Sequence, residues 1–135
     1  MRKKKRNSCH TYFKIVGKFD PEEITARLGI EPTESWNAND LRRDGKPFGF
    51  ALWECGRCDE YDVYTENQMR KTIEGLLDKT DELNRIREDL GAELWLVVVP
   101  KLHVDEISPC ISPPLDVMDF CHATRTRLDI DLYLY

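Results

Sequence analysis

Cys55 and Cys58 form the sharpest chemical motif of the sequence, because only two residues separate them. Two thiolates at this spacing can bind one zinc ion or form a redox-active disulfide. Zinc needs two further ligands, and the other cysteines and histidines are scattered over separate predicted elements with no second motif of this kind. We expect two ordinary cysteines at the end of a strand. The alternative is a metal-binding or small-molecule enzyme that uses Cys55 and Cys58.

Polar residues near position 130 form a second candidate site. Asp129 and Asp131 alternate with apolar residues, which places both carboxylates on one face of a predicted strand, about 7 Å apart. Paired carboxylates can serve acid–base or metal chemistry, so this pair is a second basis for the enzymatic alternative. More often such a row is the solvated face of a sheet. We therefore favour a solvated sheet face, and because Tyr133 continues the row, this acidic and aromatic face is also a candidate contact surface.

A third candidate site lies in the polar segment 30–47, which is predicted to be a loop. Tryptophan and arginine are enriched at binding hot spots, and this segment contains Trp36, Arg42 and Arg43. The two arginines have the chemistry to hold an anion or a carboxylate. Trp36 is the better candidate here for an exposed anchor. The alternative, which we favour, is a surface loop that folds back onto the sheet.

The sequence contains none of the motifs of α/β-hydrolases, P-loop proteins, zinc proteases or dinucleotide-binding proteins. Its three histidines have no carboxylate or nucleophile at a spacing that indicates catalysis. We therefore predict no catalytic residue and no cofactor, and we favour a protein that is not an enzyme.

Charge is distributed unevenly along the 135 residues. Five of the 20 basic residues lie at positions 2–6, and the remaining chain has 15 basic and 25 acidic residues, a net charge of −10. An acidic body repels phosphates, and it suits a basic partner or no partner at all. Binding of nucleic acid is expected only through the tail from Arg2 to Arg6. We predict that residues 1–8 form a basic flexible tail and that residues 9–135 form a single α+β domain.

Apolar runs and cysteines indicate the cellular location. The longest purely apolar run, from Leu94 to Val99, is far too short to cross a bilayer. No unbroken apolar stretch follows the basic tail, as a secretory signal would require. The five cysteines are an odd number, which argues against a disulfide framework. We expect a cytoplasmic protein that does not bind membranes.

The elements that must position these residues begin with a well-marked helix. Asp20 can accept a hydrogen bond from the free amides of a starting helix, and Pro21 suits the first helical position. Gly29 suits the left-handed backbone conformation in which many helices end. These signals predict a helix over 21–28.

Apolar periodicity predicts the remaining elements. Strands are expected over 9–18, 48–55, 93–99, 102–111 and 128–134. Helices are expected over 65–91, divided near Thr80, and over 112–124, where Leu115, Met118 and Cys121 face inward. The order β-α-β-α-α-β-β-α-β predicts an α+β fold. It is a two-layer sandwich in which a mixed or antiparallel sheet of about five strands carries helices on one face and leaves the other partly open.

Two stretches of the sequence resemble a known family. They are Phe13-Lys14-Ile15-Val16-Gly17, and Asp20-Pro21-Glu22-Glu23-Ile24-Thr25 followed by Leu28-Gly29-Ile30-Glu31-Pro32-Thr33. The step Asn39-Asp40 before Trp53 and the ending at 128–133 fit as well. From Phe13 to Tyr133 the chain is similar to the bacterial domain-of-unknown-function family 4279. The resemblance implies a small cytosolic bacterial protein and no particular reaction.

These observations together favour a non-enzymatic protein-binding module. An acidic, single-domain protein with an open sheet face has the properties to neutralise a basic protein, as toxin-immunity proteins do. The candidate binding residues are Trp36, Asp40, Arg42, Arg43, Asp129, Asp131 and Tyr133. The enzymatic alternative rests on Cys55 with Cys58, or on Asp129 with Asp131.

Overall fold

The computed structural model describes residues 6–61 and 64–135, which form four α-helices and six strands. Positions 1–5 of the predicted basic tail lie outside the described residues. The elements, in chain order, are β1 (Ser8–Gly17), α1 (Pro21–Leu28), β2 (Glu34–Trp36), β3 (Ala51–Cys58), α2 (Thr65–Ile73, followed by a 3₁₀ turn at Glu74–Leu76), α3 (Thr80–Leu90), β4 (Glu93–Leu102), α4 (Leu115–Thr124), β5 (Arg127–Ile130) and β6 (Tyr133–Leu134).

The strands form one mixed sheet in the order β2-β3-β1-β4-β5, and β6 also pairs with β4. β1 lies at the centre and pairs antiparallel with β3 and with β4. β4 in turn pairs parallel with β5 and β6. The predicted α+β fold, with helices on one face of a mixed sheet, is therefore confirmed.

Local signals define α1 as predicted. The Asp20 side chain accepts a hydrogen bond from the Glu22 amide at 3.0 Å, Pro21 occupies the first turn, and Gly29 ends the helix at φ 68°. The last turn carries Arg27, whose guanidinium reaches Glu82 Oε1 at 2.6 Å and Asp89 Oδ2 at 2.9 Å. These ion pairs join α1 to α3.

The core lies between the helices and one face of the sheet. Phe13, Ile15 and Trp53 are fully buried there. The indole Nε1 of Trp53 donates to Thr25 Oγ1 at 3.0 Å and so connects β3 to α1. The helices contribute Ile24, Leu28, Met69, Ile73, Leu83, Ile86, Val117 and Phe120 to the same cluster.

Two predictions for the strands after position 93 are wrong. β4 continues through Pro100, and the predicted strand over 102–111 is not formed. Proline is tolerated at this point because it lies opposite the break between β5 and β6, where the ladder needs no amide. The same break divides the predicted strand over 128–134 into two.

The inward face of α4 is also predicted wrongly. The helix starts later than expected, at Leu115, because Pro113 precedes Pro114 and a residue before proline is pushed out of the helical region. Leu115 and Met118 are 75% and 47% exposed rather than inward. The apolar side chains of α4 that pack into the core are those of Val117 and Phe120, with Cys121 partly buried beside them.

Two strands in and after the predicted loop over 30–47 differ from the prediction. β2 lies within that segment, and its three residues are extended because they pair with β3. β3 itself continues past its predicted end at Cys55 to Cys58. Phe13 pairs with Cys55 and Thr11 with Cys58, so β3 contains one extra residue, a β-bulge. Gly56 lies in this bulge at φ +69°.

Candidate binding surface

The second face of the sheet is covered by none of the four helices in the described part of the chain. We call it the open face. Its side chains alternate with those of the core, and residues paired directly across strands share a face. The open face includes Trp36, Leu52, Glu54, Tyr12, Lys14, Val16, Trp95, Val97, Arg127 and Asp129.

An aromatic cluster of Trp36, Phe48 and Phe50 lies at one end of the open face. The rings of Trp36 and Phe48 stack with centroids 4.1 Å apart, and Phe50 lies edge-on to Trp36 at 5.9 Å. Trp36 Nε1 also donates to the Phe50 carbonyl at 3.1 Å. Trp36 is therefore half-buried in a strand rather than a freely exposed loop residue, and it supports Phe50.

The other predicted residues of this segment shape its loop. Asp40 Oδ2 accepts from the Asn37 amide at 2.8 Å, and the Asp40 carbonyl accepts from the Phe48 amide at 3.0 Å. Arg42 forms a two-point contact with Asp44, with Nη2 and Oδ2 2.7 Å apart. Asp40 therefore acts as a turn residue, and the Arg42 guanidinium is already occupied. Arg43 is exposed to solvent.

A groove of about 420 Å³ lies beside the aromatic cluster on the open face. Phe50 and Trp95 line it together with Lys14, Val16 and Glu93. It therefore has apolar walls and a charged rim.

Trp95, which the sequence-based search for binding residues missed, has two cations over its ring. Lys14 Nζ lies 5.8 Å and Arg127 Cζ lies 5.3 Å from the ring centroid. The indole Nε1 donates to Glu93 Oε2 at 3.3 Å. One signal in the sequence does point to this position. Trp95 alternates with the buried Leu94 and Leu96, which places it on the opposite face of β4.

The predicted acidic residues lie at the opposite edge of the sheet. Asp129 is half-buried beside β4, whereas Asp131 follows the end of β5 and is exposed. The Tyr133 hydroxyl donates to Asp131 Oδ2 at 3.3 Å. Burial, followed by the negative charges of Glu54, Asp131 and Asp129, raises the pKa of Tyr12 on the central strand.

Glu54 is a buried carboxyl on the open face, with 5% of its surface exposed. Thr33 Oγ1 donates to its Oε2 at 3.0 Å, and Glu34 and Lys14 lie across from it on the two neighbouring strands. Burial is the main cause that raises the pKa of Glu54, and the charge of Glu34 adds to it. Sequence analysis did not single out this residue, because a glutamate within a strand is usually solvated.

We expect the Glu54→Gln variant to be more stable than the wild type at neutral pH and to lose this advantage on acidification. A pKa raised above the ordinary 4.5 means that the folded chain binds this proton more tightly than the unfolded chain. That contribution to stability is complete below pH 4.5 and is lost as the pH rises through the raised pKa of the folded state. Glutamine keeps an acceptor for Thr33 and carries no charge.

Urea unfolding of both proteins below pH 4.5 and at neutral pH measures this difference. A difference in the free energy of unfolding that is the same at both pH values would contradict the assignment of a raised pKa to Glu54. Thr33→Val is a control that removes the hydrogen bond without removing the charge.

Cys55 and Cys58 face the covered side of the sheet rather than solvent. Both side chains are buried, and burial raises the pKa of Cys55 to about 12. Burial and the neighbouring Cys58 raise the pKa of Cys9 to about 11. At neutral pH Cys55 and Cys9 are therefore thiols. Among residues 6–61 and 64–135, no group of three or more histidine, cysteine or acidic side chains could hold a metal ion.

The sheet thus brings the predicted binding residues together in two groups. Trp36 lies on β2 at one edge of the sheet, and Asp129 lies on β5 at the other edge. Both side chains are on the open face. Four strand spacings separate these two strands, which is about 19 Å. Phe50 and Trp95 lie between the groups.

No helix in the described part of the chain has the length and apolar character needed to cross a bilayer. Comparison with curated proteins and with solved structures gives no match. A family model described as a domain of unknown function (DUF4279) matches residues 7–135, nearly the whole chain. The chain therefore belongs to the DUF4279 family.

Proposed function

We propose that this domain is a non-enzymatic protein-binding module that binds a basic partner through the open face. One observation carries the proposal: two groups of binding-type residues lie on this face, on strands about 19 Å apart. A small metabolite is too short to contact both groups at once. A protein surface is large enough to do so.

The groove between Phe50 and Trp95 supports an anchoring contact within this surface. Aromatic residues dominate the energetics of many interfaces, and pockets near the centre of an interface bind the strongest anchors. The groove lies between the two groups and has Val16 among its apolar lining residues. A partner side chain that enters it would bury the exposed parts of both rings.

Charge supports a basic partner. Without the five basic residues at positions 2–6 the chain has a net charge of −10, and Asp131 is exposed at one edge of the open face. An acidic surface accelerates association with a basic protein and disfavours acidic competitors. Neutralisation of a basic toxin by such a protein fits this charge, so we propose an immunity-like role as the specific form of the function.

Affinity capture from a lysate of the native cells tests this proposal. We expect the wild type to retain a basic protein in a manner that weakens with added salt. The double variant Trp95→Ala with Asp131→Lys should retain at least tenfold less of that protein. A matched control, Leu77→Ala, changes an exposed apolar residue that lies outside the open face.

The proposal fails if the wild type retains no protein, or if the double variant retains as much as the wild type. It also fails if the Leu77→Ala control loses the partner to the same extent. Circular dichroism of each variant verifies that the fold is intact before capture.

A further inference from the structure

The strand β5 forms an edge of the sheet that carries apolar side chains. It pairs with β4 on one side, and no other described strand pairs with its second side. Leu128 and Ile130 are 38% and 42% exposed along it. Edge strands of this kind pair readily with another chain, and proteins usually protect them with charge, proline or a covering segment.

The backbone of β5 offers hydrogen bonds outward at defined positions. The Asp131 amide donates to the Val98 carbonyl of β4 at 2.8 Å. Consecutive residues in a parallel pair direct their peptide groups alternately toward the partner strand and away from it. Arg127 and Asp129 therefore bond to β4 as Asp131 does, whereas Leu128 and Ile130 direct their amides and carbonyls toward the free side.

The strand β5 also carries side-chain charges of both signs. Arg127 and Asp129 lie on the open face of β5, two positions apart, and neither forms an ion pair with another described residue. Opposite charges placed directly across an antiparallel pair stabilise it, and like charges destabilise it. A second β5 strand in the reverse direction would place Arg127 opposite an aspartate.

We infer that β5 pairs antiparallel with β5 of a second copy of this chain, about a two-fold axis at Leu128. In this register Leu128 lies opposite Leu128 of the second copy. The amide and carbonyl of each of these two residues are directed across the axis toward the other. Arg127 then lies opposite Asp129 of the second copy, and the contact occurs twice because the interface is symmetric. The non-hydrogen-bonded pairing of these two residues brings their side chains close together.

Charge selects this register over its neighbours. An axis at Asp129 would put that carboxylate opposite its own copy. An axis at Ile130 would put Asp129 opposite Asp131 twice. The axis at Leu128 pairs opposite charges and leaves no aspartate directly opposite another, so it is the register that the sequence of β5 favours.

Pairing at this edge joins the two open faces into one continuous surface and leaves the groove at Trp95 uncovered. The inference therefore does not depend on the proposed function. It also gives a physical reason for apolar residues on the edge, since Leu128 would be shielded by its copy.

Charge reversal in the full chain tests the pairing and its register. We expect the wild type to sediment as a dimer of twice 15.8 kDa at micromolar concentration. Arg127→Glu and Asp129→Arg, each alone, place like charges opposite each other and should weaken dimerisation at least tenfold. An equimolar mixture of the two variants should restore a dimer, because each variant then meets an opposite charge at both positions.

Two further variants test the effect of charge alone and the role of the β5 backbone amide. Arg43→Glu makes the same charge change at an exposed loop position and should leave the dimer intact. Leu128→Pro removes an amide that β4 does not use, so it should give a folded monomer by circular dichroism and sedimentation. A wild type that stays monomeric at every concentration overturns the inference. So do single variants that dimerise normally, or a mixture that stays monomeric.

Discussion

We expect the Gly56→Ala variant to lose about 3 kcal/mol or more of its free energy of unfolding, from left-handed strain and from overlap together. Gly56 has φ +69°, which costs a residue with a side chain about 1–2 kcal/mol. A Cβ at this position would also lie 2.3 Å from the Thr72 carbonyl oxygen. The α2 backbone therefore has to move away from the sheet, which disturbs the packing of α2 against β1 and β3.

A second glycine separates these two costs. Gly29 has nearly the same φ, +68°, and no atom would lie within 4 Å of its added Cβ. Gly29→Ala should therefore show only the left-handed strain, about 1–2 kcal/mol. Urea unfolding of both variants gives the comparison. Equal losses at the two positions would show that the approach of α2 to the bulge is not tight.

The Trp53→Ala variant should lose about 3–5 kcal/mol, the range for a large aromatic residue removed from a core. Trp53 is fully buried and its indole nitrogen donates to Thr25 Oγ1. The substitution removes the packing between β3 and α1 and leaves the Thr25 hydroxyl without this partner. Since domains of this size are stable by about 5–15 kcal/mol, such a loss leaves a marginal protein.

Trp95→Ala is the matched control for Trp53→Ala, because it removes the same side chain from the open face. Trp95 is only partly buried, so we expect a loss of about 1 kcal/mol from its cation contacts and partial burial. Thermal or urea unfolding measures both variants. Trp53→Phe isolates the hydrogen bond, because it keeps most of the packing. A larger loss at Trp95 than at Trp53 would contradict the assignment of the two faces.

Elements with local signals could be predicted from the sequence. The helix over 21–28 was predicted to the residue, because Asp20, Pro21 and Gly29 act through contacts within a few positions. The α+β fold could also be predicted, since apolar periodicity shows which elements need a common core.

Features that depend on distant partners could not be predicted. β2 is extended only because β3 lies beside it, and the path of β4 through Pro100 depends on a break in two other strands. The buried state of Glu54 likewise depends on neighbours from other strands. Trp95 differs from these cases, because alternation within β4 already placed it on the open face.

The position of β1 affects how the chain folds during synthesis. β1 comes first among the described strands and yet lies at the centre of the sheet, where its neighbours are β3 and β4. Both neighbours are made later, and β4 follows only after α2 and α3. Such distant pairing makes folding slow, because long loops must close before the contacts form. While the chain leaves the ribosome, both edges of β1 are therefore unpaired until β3 is made, and one edge stays unpaired until β4 is complete.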